Sequence, residues 1–133
     1  MATVSEQETQ GPHILTKGNV SIDLNMVYEI SGNDESYIIL MVQIFLQNMP
    51  GTLRRIDEGL QKEDWEEVYK AAHFAKSSLS VIRVSPMLEL VLAIEERAKK
   101  RNGVELMPEL AAQVNDAFAV AKDVLSEKFT TGV

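Results

Sequence analysis

Apolar residues recur every three or four positions along most of the chain, which is the period of an α-helix with one buried face. The pattern predicts a short helix in SIDLNMVYEISG, with Ser21 or Asp23 as the N-cap. A long helix follows from Asn33 to about residue 63, and three more cover residues 64–84, 85–103 and about 107–128. Ser85 followed by Pro86 is typical of a helix start. We find no alternation typical of strands.

The predicted helices each have an apolar stripe that only another helix can cover. The sequence therefore predicts an all-α protein, an antiparallel four-helix bundle with a short additional N-terminal helix. Residues 1–18 are expected to form a flexible N-terminal tail, because the first dozen or so are polar and lack periodicity. The bundle spans residues 19–129, and residues 130–133 form a C-terminal tail.

Composition narrows the possible functions. Hydrophobic residues make up 45% of the 133 positions, enough for a core. The net charge of −7 argues against nucleic acid or an anionic membrane as the main partner. The absence of cysteine excludes disulfides, thiolate chemistry and cysteine zinc sites. No apolar run is long enough to span a bilayer, and the first residues lack the features of a signal peptide, so we expect a cytoplasmic protein.

The stretch AAHFAKSSLSVIRV, residues 71–84, contains one of the two histidines. On a helical wheel His73 lies roughly 130° from the centre of the apolar stripe, so we expect it on the surface. An exposed neutral imidazole is a nucleophile, and Lys76, one turn on, supplies positive charge for an incoming anion. The face around the histidine also carries Lys70, Phe74, Ser77 and Val81. These features suit a transiently phosphorylated histidine, although a merely solvated histidine would share the same spacing.

The same stretch with its continuation, AAHFAKSSLSVIRVSPMLELVLAIEE, resembles the histidine-containing phosphotransfer (HPt) domain. That family has an Ala-His pair, a lysine three residues after the histidine and then small residues. The preceding FLQNMPGTLRRIDEGLQKEDWEEVYKAAH fits the same family, and the resemblance covers roughly residues 20–128. It implies a four-helix bundle in which His73 accepts a phosphoryl group, Lys76 neutralises it, and Glu95 lies near the imidazole. Ser77 and Arg83 stand where the family often has glycine.

The resemblance implies a phosphorelay intermediate. His73 would accept the group from a receiver-domain aspartate and pass it to another receiver, with Ser77, Lys70 and Glu95 around the phosphate. The chain would be a monomeric carrier rather than an enzyme, because it has no glycine-rich nucleotide loop. It would need no cofactor of its own, since Mg²⁺ is expected on the partner receiver. Receivers would dock on an apolar surface, for which the candidates are Phe74, Val81, Ile39 and Leu46.

Two other functions remain possible at this point. The same bundle could bind receivers or other partners without chemistry, in which case replacing His73 would leave its function intact while replacing Phe74 or Val81 would not. A metal-binding bundle is disfavoured, because it needs inward Glu-x-x-His pairs and the residue three before His73 is Lys70.

Overall fold

The computed structural model describes residues 13–129, and within this range it is a helical protein with little strand. Its five α-helices are α1 (Asn25–Ser31), α2 (Glu35–Gln61), α3 (Trp65–Leu79), α4 (Met87–Lys100) and α5 (Met107–Lys128). A short 3₁₀ turn, Val104–Leu106, leads into α5. The long helices pack in a closed ring, α2 on α3, α3 on α4, α4 on α5 and α5 on α2. The predicted all-helical class is therefore confirmed.

Three short strands form a small sheet that the sequence analysis missed. Strands β1 (Ile14–Lys17) and β2 (Val20–Asp23) make an antiparallel hairpin. Strand β3 (Arg83–Ser85), between α3 and α4, pairs antiparallel with β2. The strands are too short to show alternation in a sequence window, so their apolar residues were assigned to helices or to the tail.

Several predicted boundaries are therefore wrong. The tail boundary at residue 18 falls inside the hairpin, at the turn where Gly18 has a φ of 60°. Residues 21–23 are strand rather than helix, and α3 ends at Leu79 instead of running to residue 84. Ser85 closes β3 instead of capping α4. Residues 1–12 and 130–133, where the rest of the predicted tails falls, lie outside the described residues.

The core lies between the four long helices and one face of the sheet. Leu15, Val20, Ile22 and Val84 bring the sheet into the same buried cluster as the helices. Asp34 caps α2 by accepting hydrogen bonds from the backbone N–H groups of Ser36 and Tyr37. No helix among residues 13–129 combines the length and the apolar character needed to cross a membrane.

Close packing of α2 against α3 depends on Gly59. A Cβ at this position would lie 2.7 Å from Val68 Cγ2 and 3.4 Å from the Asp64 carbonyl oxygen. We expect Gly59→Ala to lower the free energy of unfolding by about 1–2 kcal/mol, because the overpacking outweighs the gain in helix propensity. Urea denaturation at pH 7 measures the change.

Gly51 supplies the matched control within the same helix. No heavy atom lies within 4 Å of a Cβ built there. Gly51→Ala should therefore raise the free energy of unfolding by about 0.5–1 kcal/mol, through helix propensity alone. Equal effects of the two substitutions would contradict the packing argument.

Candidate functional site

His73 lies in the middle of α3, outside the buried face of that helix. The helix begins where the Asp64 side chain accepts a hydrogen bond from the backbone N–H of Glu67, at 3.2 Å. From this start the helical period buries Val68, Ala71, Ala72, Ala75 and Leu79. The His73 side chain is 53% exposed, which agrees with its predicted position on the wheel. Its imidazole is therefore open to a second protein.

Glu95 on α4 contacts both His73 and Lys76, the two residues to which the predicted chemistry is assigned. Its Oε2 lies 2.6 Å from His73 Nδ1, and its Oε1 lies 3.2 Å from Lys76 Nζ. The carboxylate is only 13% exposed, although the imidazole it contacts is half exposed. An ionised carboxylate only accepts hydrogen bonds, so Nδ1 carries the proton in this contact. The nitrogen left for an incoming group is Nε2.

Electrostatics keep Glu95 ionised. Burial raises the pKa of the Glu95 carboxyl, but the hydrogen bonds from His73 and Lys76, with the charge of Lys76, hold that pKa below its ordinary value of 4.5. A carboxylate that stays charged at neutral pH favours the Nδ1–H tautomer of His73.

The two lysines near His73 differ in their surroundings. Lys76 is 35% exposed and its ammonium group lies on the His73 side of α3, bound to Glu95. Lys70 points to a different partner, with its Nζ 3.5 Å from Glu66 one turn earlier on the same helix. The structure thus brings Lys76 into the group around His73, whereas Lys70 pairs away from it.

Ser77 does not extend its hydroxyl toward the imidazole. Its Oγ donates to the backbone carbonyl of His73, at 3.3 Å, in the i to i−4 pattern that is common for serine inside helices. The Cβ of Ser77 nevertheless stands one turn beyond the histidine. A rotation about χ1 would be needed before this hydroxyl could reach a group bound at Nε2.

Sequence reasoning missed Tyr69 as a member of the site. Its ring stacks against the His73 imidazole from the preceding turn of α3, with centroids 5.9 Å apart and an interplanar angle of 27°. The i to i+4 spacing of a tyrosine and a histidine on one helix is the signal that could have identified it.

The candidate docking residues lie in different places. Phe74 is 50% exposed next to His73, whereas Val81, Ile39 and Leu46 are half-buried and pack against the core. On the wheel of α2, Leu46 lies within about 20° of Asp57, and Asp57 bonds to Asn115 of α5. Leu46, and Ile39 with it, therefore face the α5 side of α2, away from α3.

The exposed large hydrophobic residues of α2 are Tyr37, Leu40 and Ile44, and they lie on its α3 side. Ile44 lies within about 20° of Arg55 on the wheel of α2, and Arg55 forms an ion pair with Glu67 of α3 at 2.7 Å. Periodicity separates core from surface, but it does not say which neighbouring helix each flank of α2 meets.

The ion-pair arrangement around Glu95 predicts a pH effect on stability. The pKa of Glu95 is lower in the folded protein than in the unfolded chain. Its contribution to the free energy of unfolding is therefore present above about pH 4.5 and is lost as the pH falls through the folded pKa. We expect Glu95→Gln to lower the free energy of unfolding by about 1 kcal/mol at pH 7, and by less near pH 3. Urea denaturation at both pH values measures this difference.

Glu96→Gln is the control for that experiment. Glu96 also has a lowered pKa, through its hydrogen bond with Lys100, but both side chains are mostly exposed. Exposed pairs of this kind add little to stability, so this variant should unfold like the wild type at both pH values. A Glu95→Gln protein as stable as wild type at pH 7 would contradict the argument.

The fold and the site together define a helical bundle with an exposed histidine held by a carboxylate beside a lysine. Among residues 13–129 no group of three or more histidine, aspartate or glutamate side chains is arranged to hold a metal ion. Comparison with protein families matches the Hpt domain over residues 40–124. Because the match spans most of the chain, the protein belongs to the Hpt domain family.

A solved structure supports the same fold. The chain is similar to the crystal structure of histidine-containing phosphotransfer protein B (HptB) from Pseudomonas aeruginosa PAO1, with a TM-score of 0.72 and 20% sequence identity. The similarity covers 90% of this chain and 96% of that one. A search of curated proteins found no match. Membership of the Hpt family supports histidine phosphotransfer in a two-component phosphorelay as the role of this chain.

Proposed function

We propose that this protein is a phosphorelay intermediate that accepts a phosphoryl group on His73 from the aspartate of one receiver domain and passes it to another receiver. The observation that carries the proposal is the arrangement of His73, half exposed on α3, with its Nδ1 held at 2.6 Å by the largely buried Glu95. That contact directs the reaction to Nε2. Hpt proteins are generally carriers, and the chemistry is shared with the partner.

The transfer balances without a further reagent. The lone pair of Nε2 attacks phosphorus, the N–P bond forms, and the P–O bond of the aspartyl phosphate breaks with its electron pair left on the receiver carboxylate. The imidazole becomes positively charged, and Glu95 stabilises that charge through Nδ1–H. The reverse reaction at a second receiver returns His73 to its neutral form. Mg²⁺ belongs to the receivers in this scheme, and the Hpt chain holds no cofactor of its own.

Lys76 and Ser77 form the proposed surroundings of the phosphoryl group. Lys76 lies one turn from His73 and is tied to Glu95 rather than to a distant acid, so its charge stays at the site. It would exchange part of this contact for a phosphoryl oxygen. Ser77 would rotate its hydroxyl from the His73 carbonyl to the same group. Lys70, paired with Glu66, would contribute only to the general positive potential around the histidine.

Receivers would dock on the apolar surface beside His73, which we define as Phe74 with Leu40 and Ile44 of α2. All three side chains are exposed and apolar. Partly exposed aromatic residues next to a reactive group are frequent anchors of protein interfaces. Val81 would support this surface from the core, whereas Ile39 and Leu46 would lie outside it, on the α5 side of α2.

We expect Phe74→Ala to weaken receiver binding by on the order of tenfold while leaving His73 chemically intact. Titration calorimetry with an unphosphorylated receiver measures the affinity. Leu106→Ala is the control, because Leu106 is 49% exposed but lies in the turn before α5. If both variants, or neither, lost affinity, the docking surface would have to be placed elsewhere.

The function itself is tested by transfer in both directions. Wild-type protein is mixed with a panel of receivers carrying labelled aspartyl phosphate, then purified and mixed with unlabelled receivers. The proposal predicts acid-labile, base-stable phosphate on the chain, followed by its appearance on a second receiver. Receiver binding without transfer from any member of the panel would overturn the relay and favour a docking module without chemistry.

A further inference from the structure

The imidazole of His73 is fixed by two contacts of different kinds. Glu95 holds a single atom, Nδ1, at 2.6 Å. Tyr69 stacks its ring against the imidazole, with centroids 5.9 Å apart and planes 27° from parallel. The distance lies within the range of favourable aromatic pairs. The two contacts come from different helices, α4 and α3, so each can be removed by a substitution that leaves the other residue in place.

One hydrogen bond is not enough to orient a ring. Glu95 fixes where Nδ1 lies, but the imidazole could still tilt about that atom, and Nε2 on the far side of the ring would sweep through an arc. Contact with the face of a second ring removes this tilt. In-line attack on phosphorus requires the Nε2 lone pair to point along the P–O axis, and small errors in such alignment are costly.

We propose that Tyr69 is a positioning residue that keeps the plane of the His73 ring fixed, so that Nδ1 stays on Glu95 and Nε2 points at the docked receiver. The effect of Tyr69 on the transfer rate rests on the proposed function. The effect of Tyr69 on the orientation of the His73 ring does not depend on that function, because the stacking is present in the isolated chain.

A role confined to core packing predicts different behaviour. Tyr69 is half-buried and also packs against the core, so any substitution there could lower stability. Stability alone would not change the protonation pattern of His73 or separate the limiting rate of transfer from receiver affinity. The test therefore compares Tyr69→Phe, which keeps the ring, with Tyr69→Leu, which keeps the apolar volume but has no ring, in the full chain at a temperature where both are folded.

Two measurements are made on each variant. Long-range ¹H–¹⁵N NMR spectra of the His73 ring report the fraction of the Nδ1–H form. Single-turnover transfer from a phosphorylated receiver, at increasing receiver concentration, gives the limiting rate and the half-saturating concentration. We expect Tyr69→Phe to match wild type. We expect Tyr69→Leu to lose part of the Nδ1–H form and to slow the limiting rate on the order of tenfold, with the half-saturating concentration unchanged.

The outcomes separate this inference from the proposed function. Wild-type ring signals and a wild-type limiting rate in Tyr69→Leu would overturn the positioning role, and so would an equal loss in Tyr69→Phe. If wild type itself accepts no phosphate, the proposed function fails. The NMR comparison still tests the positioning role in that case. A lower fraction of the Nδ1–H form in Tyr69→Leu but not in Tyr69→Phe supports the role, and an unchanged fraction overturns it.

Discussion

The His73→Gln protein should accept no phosphate from any receiver domain, whereas wild type is labelled within the same reaction. Glutamine is close in length to histidine and can still bond to Glu95, but its amide nitrogen is not a nucleophile at neutral pH. The loss should therefore be complete rather than partial. The measurement is the amount of labelled phosphate that each protein retains after base treatment and releases in acid.

His13 supplies the control, since it is the other histidine of the chain. Its ring stacks on Tyr28 with centroids 3.6 Å apart, beside α1 and far along the chain from α3. His13→Gln should be labelled like wild type, and His73→Gln should still bind the receiver in calorimetry. Labelling of His73→Gln, or loss of labelling in His13→Gln, would show that the phosphate is carried elsewhere.

Replacing Lys76 with glutamine should slow transfer on the order of 10- to 100-fold without abolishing it. The transferring phosphoryl group carries negative charge on its three equatorial oxygens, and a fixed positive charge beside them stabilises the transition state. Lys76 Nζ is already held at the site by Glu95 at 3.2 Å, so little reorganisation is needed. Rapid-quench measurement of the limiting transfer rate reports the effect.

Lys70→Gln is the matched control, with the same charge change on the same helix. Its ammonium group pairs with Glu66 rather than with Glu95. We expect a small decrease that raised salt removes, because an exposed charge paired with Glu66 acts on the phosphoryl group only through screened attraction. Equal losses in the two variants would mean that general charge, rather than a contact of Lys76 with the phosphoryl group, explains the lysine effect.

Helical period is a local property, and for this reason the exposure of His73 and the class of the fold could be predicted from the sequence. The buried residues of α3 repeat with the helical period, and His73 lies off that line. Its approach to Glu95 is a contact between two helices. Only the family resemblance indicates that Glu95 lies near the imidazole, because nothing in the spacing of residues says how α4 packs on α3.

Short elements and the flanks of helices could not be predicted in the same way. Strand β3 contains only three residues, fewer than a periodic pattern needs to appear. A helical wheel separates inside from outside, but it does not say which neighbouring helix lies beside Ile39 and Leu46 or beside Leu40 and Ile44. The two pairs differ because α5 packs beside one flank of α2 and α3 packs beside the other.

The small sheet also affects how a newly made chain folds. Strand β3 lies in the connection between α3 and α4, the two helices that carry His73 and Glu95, and it pairs with β2 near the start of the chain. During synthesis the hairpin leaves the ribosome long before β3 exists, and pairings between distant segments form more slowly than local helices. The pairing of β3 with β2 therefore forms only after α3 has been made, and it then ties the connection between the helices that carry His73 and Glu95 to the hairpin.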